Sequence, residues 1–347
     1  MGQLTLTMRR IVKIVNQARC VRWDMARYIT ISTIGARPPA VSADVSYNDA
    51  VEIMIRHLTA QIEQVLPDRP DLIVLPEACD IPANYDLTSQ AVLSDYIGAR
   101  SGAVLRALTC LARDHRCYVT YPSIRRLPDG SWRNSIELID RNGEVVSVYD
   151  KYHPTIWENE AGILSGEQAV IASCDFGRIG FAICFDLNFD EIRARYVQTR
   201  PDVLVFCSMY HGDLMQNYWA YTCRAHFAAA ISGTCGSAHI LSPLGKSIAA
   251  STNYYNYATA RVNLDCRLAH LDYNWDRLRA MRKKHGRKVG VVDPGLLGSV
   301  LISSETDEFT VDDVIAEFQI ETLDDYFARS LECQARHRPA GSQERTT

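Results

Sequence analysis

Charge-free strand-like runs that alternate with amphipathic helix-like segments predict an α/β protein built on a mostly buried sheet. Three observations carry this prediction. Asp71–Leu75, Ile179–Ile183 and Asp202–Ser208 are short apolar runs of the kind that fill buried strands. Between the first strands, Asn48–Leu66 places Val51, Ile55, Leu58, Ile62 and Leu66 at helical spacing. Turns at Asp129-Gly130 and Arg141-Asn142-Gly143 then insert hairpins.

Taken in order, residues 1–28 form a basic arm. Arg9, Arg10, Lys13, Arg19, Arg22 and Arg27 stand against one acid, Asp24. Ile11, Val12, Ile14 and Val15 are too interrupted for a secretory signal, so a peripheral arm or subunit contact is expected, with an organelle transit peptide as the alternative. Ile29–Ile34 alternates β-branched and small residues and reads as a strand, which Pro38-Pro39 ends. Pro67 stops the Asn48–Leu66 helix, and Pro76-Glu77-Ala78-Cys79 follows the Asp71–Leu75 strand. A helix fits Val104–Asp114. Strands fit Cys117–Tyr121, Asn134–Asp140, Val145–Tyr149 and Ala169–Ser173. After Ile179–Ile183, the segment Glu191–Thr199 is helical, and the Asp202–Ser208 strand runs into Met209-Tyr210-His211. Asn217–Ala230 reads as a helix with Trp219, Cys223 and Phe227 on one face. Gly233–Ser242 and Ser247–Ala250 read as strands around a Pro243-Leu244-Gly245 turn, and Ala258–Leu264 is the last clear strand. Residues 270–347 read as an extension for packing or oligomerisation. It is basic over Arg277–Lys288, acidic over Glu305–Glu332, and expected to fray over Ala335–Thr347.

Composition narrows the function. The 347 residues are 47% hydrophobic and 22% charged, with a net charge of −4, which does not suit nucleic acid or a membrane surface as partner. No apolar run approaches the roughly 20 residues of a membrane helix. Eleven cysteines without a CxxC pair, including Cys110, Cys117, Cys207 and Cys223 in apolar surroundings, suggest reduced, buried thiols in a cytoplasmic protein. The histidines show no metal-ligand spacing, and neither a metal nor another cofactor is expected.

Three reactive residue types each follow an apolar run. Glu77 follows Leu72–Leu75, Lys151 follows Val145–Tyr149, and Cys184 follows Ile179–Ile183. A carboxylate, an amine and a thiol brought together can perform nucleophilic acyl chemistry. The carboxylate takes the thiol proton, sulfur attacks a carbon that bears nitrogen, and the ammonium steadies the developing charge. An ammonium neighbour also favours the thiolate.

Ile73-Val74-Leu75-Pro76-Glu77, Tyr149-Asp150-Lys151-Tyr152-His153-Pro154 and the run from Ile183-Cys184-Phe185-Asp186 to Glu191 resemble, in order and separation, the three motifs of the nitrilase superfamily of carbon–nitrogen hydrolases. The resemblance covers roughly residues 29–265 and sets a hydrolase domain at 29–269, between the arm and the extension. It implies a four-layer α-β-β-α sandwich, a thioester intermediate and no cofactor. Carried over, Glu77 is the general base, Lys151 the electrostatic stabiliser and Cys184 the nucleophile, with the Phe185 backbone N–H in the oxyanion hole. A second glutamate in the lysine loop is Glu158 by spacing, with Glu160 as rival.

Cys184-Phe185-Asp186 resembles the amidase and carbamoylase branches more than the Cys-Trp-Glu of true nitrilases. Asp190 departs from the proline that many members carry before the glutamate, and His226-Phe227-Ala228-Ala229 replaces the usual residues after Arg224-Ala225. Asn134 is expected to be structural. Tyr121, Trp157, Met209, Tyr210 and His211 are candidates for the substrate pocket. The expectation is a hydrolase of a small-molecule amide or N-carbamoyl bond that forms a homo-oligomer. A nitrilase or a catalytically silent scaffold subunit is the alternative.

Overall fold

The computed structural model describes residues 27–338, apart from Thr88 and 234–235. The predicted basic arm, all but its last two residues, and the end of the tail lie outside the described residues. In chain order the strands are β1 (Tyr28–Ile34), β2 (Leu72–Val74), β3 (Tyr118–Arg126), β4 (Trp132–Ile139), β5 (Val145–Asp150), β6 (Ile171–Ser173), β7 (Arg178–Ile183), β8 (Val203–Ser208), β9 (His226–Ile231), β10 (His239–Leu241), β11 (Ser247–Ala250), β12 (Tyr257–Asn263), β13 (Cys266–His270), β14 (Val289–Val292) and β15 (Ser299–Ser304). The helices are α1 (Tyr47–Glu63), α2 (Gln90–Arg100), α3 (Ala103–His115), α4 (Ile156–Glu160), α5 (Asp190–Thr199), α6 (Leu214–Cys223), α7 (Trp275–His285), α8 (Val311–Phe318) and α9 (Leu323–His337).

Two six-stranded sheets, ordered β12-β1-β2-β3-β4-β5 and β11-β10-β9-β8-β7-β6, stack face to face. At the centre of each, three strands run parallel: β1, β2 and β3 in the first, β7, β8 and β9 in the second. The two-residue period of a strand explains the layering. Leu72 and Val74 point into the core between the sheets, whereas Ile73 and Leu75 point to the outer core with Val51, Leu58 and Ile62 of α1 and Leu108 of α3. On the other side, Ile192 and Tyr196 of α5 and Trp219, Ala220 and Cys223 of α6 cover the second sheet. The architecture is thus the four-layer α-β-β-α sandwich.

Four local readings differ from the sequence expectation. The Asn217–Ala230 helix stops at Cys223, because Arg224 takes a left-handed φ of 57° and its N–H caps α6. His226–Ile231 is instead a fully buried strand between β8 and β10. The helix propensity of its three alanines yields to pairing on both edges. The strand predicted over Gly233–Ser242 shrinks to β10. Cys110 lies on the exposed face of α3, although Cys117, Cys207 and Cys223 are buried.

Ala258–Leu264 is not the last strand either. The later chain builds a three-stranded sheet, β13-β15-β14, with a core of Ala269, Leu278, Met281, Val300, Ile302, Val311 and Val314. Leu268 and Leu323 of this unit pack on Leu244, and Arg224 pairs with Asp324 at 3.1 Å. No helix among the described residues is long and apolar enough to cross a membrane.

The loop after β2 is fixed from behind by a buried polar cluster. Arg100, at the end of α2, donates to Asp80 Oδ2 at 2.6 Å and to the Ile124 carbonyl at 2.6 Å. Tyr121 Oη donates to the same carboxylate at 2.5 Å, and Tyr96 Oη to the Asp80 carbonyl at 2.6 Å. The Asp80 side chain is wholly buried and that of Arg100 is 5% exposed. Removing one partner of such a pair leaves a charge without compensation. Arg100→Leu is therefore expected to destabilise the protein by about 3–5 kcal/mol in urea unfolding. A loss below about 1 kcal/mol, the range of exposed pairs, contradicts this account.

Candidate active site

The C-terminal ends of β2, β5 and β7 deliver the reactive side chains to one place. Glu77 sits just past β2, where Leu75 N–H donates to Thr120 Oγ1 at 3.2 Å and Ala78 turns the chain with φ of 53°. Lys151 directly follows β5, and its N–H bonds the Asn134 carbonyl at 2.8 Å. The returning segment of that loop passes so close that a Cβ on Gly166 would lie 2.2 Å from the Asp150 carbonyl oxygen, so only glycine fits. Cys184 follows β7 with φ of +46° and opens a 3₁₀ turn ahead of α5. A cysteine held in the left-handed region is uncommon and is one way a fold aims a side chain out of a strand end.

Asp186 ties the cysteine turn to the lysine loop. Its wholly buried carboxylate accepts from Ile183 N–H at 2.9 Å, from Tyr149 Oη at 2.7 Å and from His153 N–H at 2.7 Å. The cysteine turn and the segment that carries Lys151 are thereby held in one frame.

Lys151 is buried between two glutamates. Its Nζ lies 3.1 Å from Glu77 Oε1 and 2.8 Å from Glu158 Oε2. Asn134 Nδ2 donates at 2.8 Å to both Glu77 Oε1 and Glu158 Oε1 and so bridges the carboxylates. Met209 N–H donates to the other Glu77 oxygen at 3.2 Å. Glu158 also closes the capping box of α4, accepting from Thr155 N–H at 2.7 Å and Thr155 Oγ1 at 3.0 Å.

Burial alone would lower the lysine's pKa, but Glu77 and then Glu158 outweigh it and hold the ammonium well above its ordinary range. Burial pushes Glu158 up, and Lys151 more than reverses this, so its carboxyl titrates below the usual range. The cysteine behaves otherwise than its lysine neighbour suggests. Burial, and next the charge of Glu77, push the Cys184 thiol up to about 12, against the pull of Lys151. The net direction is opposite to the pull toward thiolate that an ammonium neighbour exerts.

These residues line a cavity of about 270 Å³. Glu77, Asn134, Lys151, Thr155, Glu158 and Cys184 form its polar end, and Ala78, Leu87, Ile124, Trp157 and Met209 its apolar wall. Trp157 and Met209 thus stand where the sequence reading put them. Glu160 is exposed and apart from Lys151, whereas Glu158 is buried against it. Three pocket candidates do not line the cavity. Tyr121 points to the opposite face of β3, into the Asp80–Arg100 cluster. Tyr210 accepts from Asn188 Nδ2 at 3.1 Å and packs on Phe206. His211 Nδ1 accepts from the Asp213 N–H at 2.9 Å, and its ring meets His239. Phe185 is the second residue of the 3₁₀ turn that Cys184 opens, and its ring packs on Phe189.

Sequence reasoning missed Leu87 and Ile124 in the wall and underrated Asn134 and Asp186. The Arg133-Asn134-Ser135 strand start carried a usable signal, because a polar side chain inside an apolar strand must find a buried partner. Among the described residues, no group of three or more His, Cys, Asp and Glu side chains is placed to hold a metal.

The lowered pKa of Glu158 has a defined consequence for acid stability. The stability it contributes is fully present above its unfolded pKa of about 4.3 and is lost as pH falls through the lower folded value. The stability difference between the native chain and Glu158→Gln, from urea unfolding, is expected to hold steady from neutral pH to about 5 and to shrink below about 4. A difference that widens on acidification contradicts the assignment.

Comparison with known proteins bears on the family and the fold. Residues 35–263 match the family model for carbon-nitrogen hydrolases. A deaminated glutathione amidase of Synechocystis is 26% identical over 165 residues, covering 39% of this chain and 59% of the relative. The matched stretch spans about half the length of the curated relatives. Among solved structures, Nit3 of Saccharomyces cerevisiae, a member of branch 10 of the nitrilase superfamily, superposes with a TM-score of 0.58 at 16% identity, over 69% of this chain and 92% of that one. A variant of the amidase from Nesterenkonia sp. AN1 superposes with a TM-score of 0.55 at 17% identity, over 76% and 98%. With the stacked sheets, the order of the strand-end motifs and the extent of the family match in agreement, the chain belongs to the carbon–nitrogen hydrolases of the nitrilase superfamily.

Proposed function

We propose that this chain hydrolyses an amide-type C–N bond, in a carboxamide or N-carbamoyl substrate, through a thioester on Cys184. One observation carries the reading: the Cys184 thiol opens into the same small cavity as the Glu77–Lys151–Glu158 cluster. The substrate carbonyl carbon docks at Sγ. As the S–C bond forms, the thiol proton passes to Glu77, and the carbonyl electrons move to oxygen. The Lys151 ammonium and the Phe185 backbone N–H meet that oxyanion. Collapse breaks the C–N bond, and Glu77 returns the proton to the departing nitrogen, which leaves as ammonia or an amine. A water that loses its proton to Glu77 then attacks the thioester and releases the acid and the thiol.

The raised thiol pKa fits this sequence. A resting thiolate beside two glutamates would add charge to an already acidic pocket, whereas attack coupled to proton transfer adds none. Glu158 keeps Lys151 charged and in place, and Asn134 spaces the two carboxylates. The Nesterenkonia amidase variant, with an acetamide moiety added covalently at its active-site cysteine, supports the role given to Cys184.

Steady-state ammonia release from a panel of carboxamides, N-carbamoyl amino acids and the matching nitriles tests the reading. Cys184→Ala is expected to abolish turnover without lowering Tm. Glu158→Gln is expected to reduce kcat by about 10²–10³-fold, the scale of a lost electrostatic contact in the transition state. Glu160→Gln is expected to stay within about twofold of the native chain, since an exposed carboxylate away from the thiol has no part in the step. Turnover that survives in Cys184→Ala, or release from nitriles alone, overturns the reading.

A further inference from the structure

The walls of the cavity say more about the substrate than the reaction does. The apolar part of its lining is made of Ala78, Leu87, Ile124, Trp157 and Met209. Trp157 and Met209 are 36% and 41% exposed, so a bound acyl chain would cover apolar surface that is now open to water. Ile124 is held in position from behind, because its carbonyl accepts from Arg100 at 2.6 Å.

The lysine, the amide and the two glutamates of the cavity are already committed to one another. Lys151 is its only cation among the described residues, and it is shared between two carboxylates at 3.1 and 2.8 Å. Asn134 Nδ2 is divided between the same glutamates, and Thr155 Oγ1 donates to Glu158. A carboxylate on the distal end of an acyl chain would lose its water against the apolar lining and find no second cation among the lining residues. Burial of an unpaired charge is far more costly than that of a methyl group. The volume, about 270 Å³, lies below the roughly 300–1,000 Å³ of pockets that hold drug-sized ligands, so the acyl group is small.

Resting on the amide-hydrolase reading and deepening it, we infer that the substrate is the primary amide of a small, uncharged, apolar acyl group, a short aliphatic chain or a single aryl ring. Water and the amide yield the carboxylate and ammonium. The acyl carbon exchanges its C–N bond for the S–C bond to Cys184 and then for a C–O bond, with no redox partner. Leu87, Ile124 and Trp157 are the residues that set this preference.

The test compares matched primary amides that differ only at the distal end, hexanamide and adipamate, by ammonia release. Hexanamide is expected to have a kcat/KM at least about 100-fold higher, because the adipamate carboxylate enters the wall unpaired. Leu87 is half-buried at the wall, so Leu87→Arg supplies the missing cation at a tolerant position. This substitution is expected to narrow the ratio by tenfold or more, about what one new charge-assisted contact supplies. As a reading that does not depend on turnover, hexanamide is expected to raise the Tm of Cys184→Ala protein, and adipamate is not. Equal or better turnover of adipamate overturns the proposed acyl class yet leaves the amide reaction standing, since adipamate is itself an amide. No ammonia from either amide overturns the acyl class, and release from hexanenitrile in that case overturns the amide reaction with it.

Discussion

A buried ammonium shared by two carboxylates is the constraint on which the rest of this site depends. Lys151 cannot be withdrawn from water without compensation, and Glu77 and Glu158 supply it from two different loops. The arrangement is self-consistent only as a set. Asn134 keeps the carboxylates from repelling each other directly, and the lysine keeps Glu158 ionised. The cluster is acidic on balance, and the chemistry follows from that. Burial and the charge of Glu77 raise the pKa of the Cys184 thiol beside it. In the proposed reaction, nucleophilic character arises as a carbonyl arrives and Glu77 takes the proton.

The sandwich brings the three loops together because each reactive residue sits where a strand stops. The parallel centre of each sheet sends its strand ends to one side, and stacking of the sheets opposes Glu77 and Lys151 to Cys184. Two buried carboxylates then fix the loops from outside the reaction. Asp186 joins the cysteine turn to the lysine loop, and Asp80, through Arg100 and Tyr121, anchors the loop of Glu77 and the strand that carries Ile124. Neither lies in the cavity, and both hold residues that do.

Much of this was legible in the sequence, and the exceptions have physical causes. Glu77, Lys151 and Cys184 could be placed at strand tips because apolar runs end visibly. The choice between Glu158 and Glu160 rested on spacing, and the difference between them, burial against Lys151, is tertiary. Tyr121 looked like a pocket residue because it ends an apolar run, yet the strand continues to Arg126 and its period turns the ring to the far face. Tyr210 and His211 follow β8 in the same way, but local hydrogen bonds turn them aside. The alanines of β9 imitate a helix, and only pairing with β8 and β10 marks the strand. The last sheet was missed because β14 is only four residues long, β15 is half polar, and a charged helix separates β13 from them.

The account's central claim is that Cys184 carries the acyl group. Acid quench of the enzyme during turnover of a primary amide, followed by intact-mass and peptide mass spectrometry, tests it most directly. The account predicts a mass gain equal to the acyl group, confined to the peptide that contains Cys184 and removed by hydroxylamine. Steady turnover with no adduct on that peptide, or with an adduct on another residue, would contradict it.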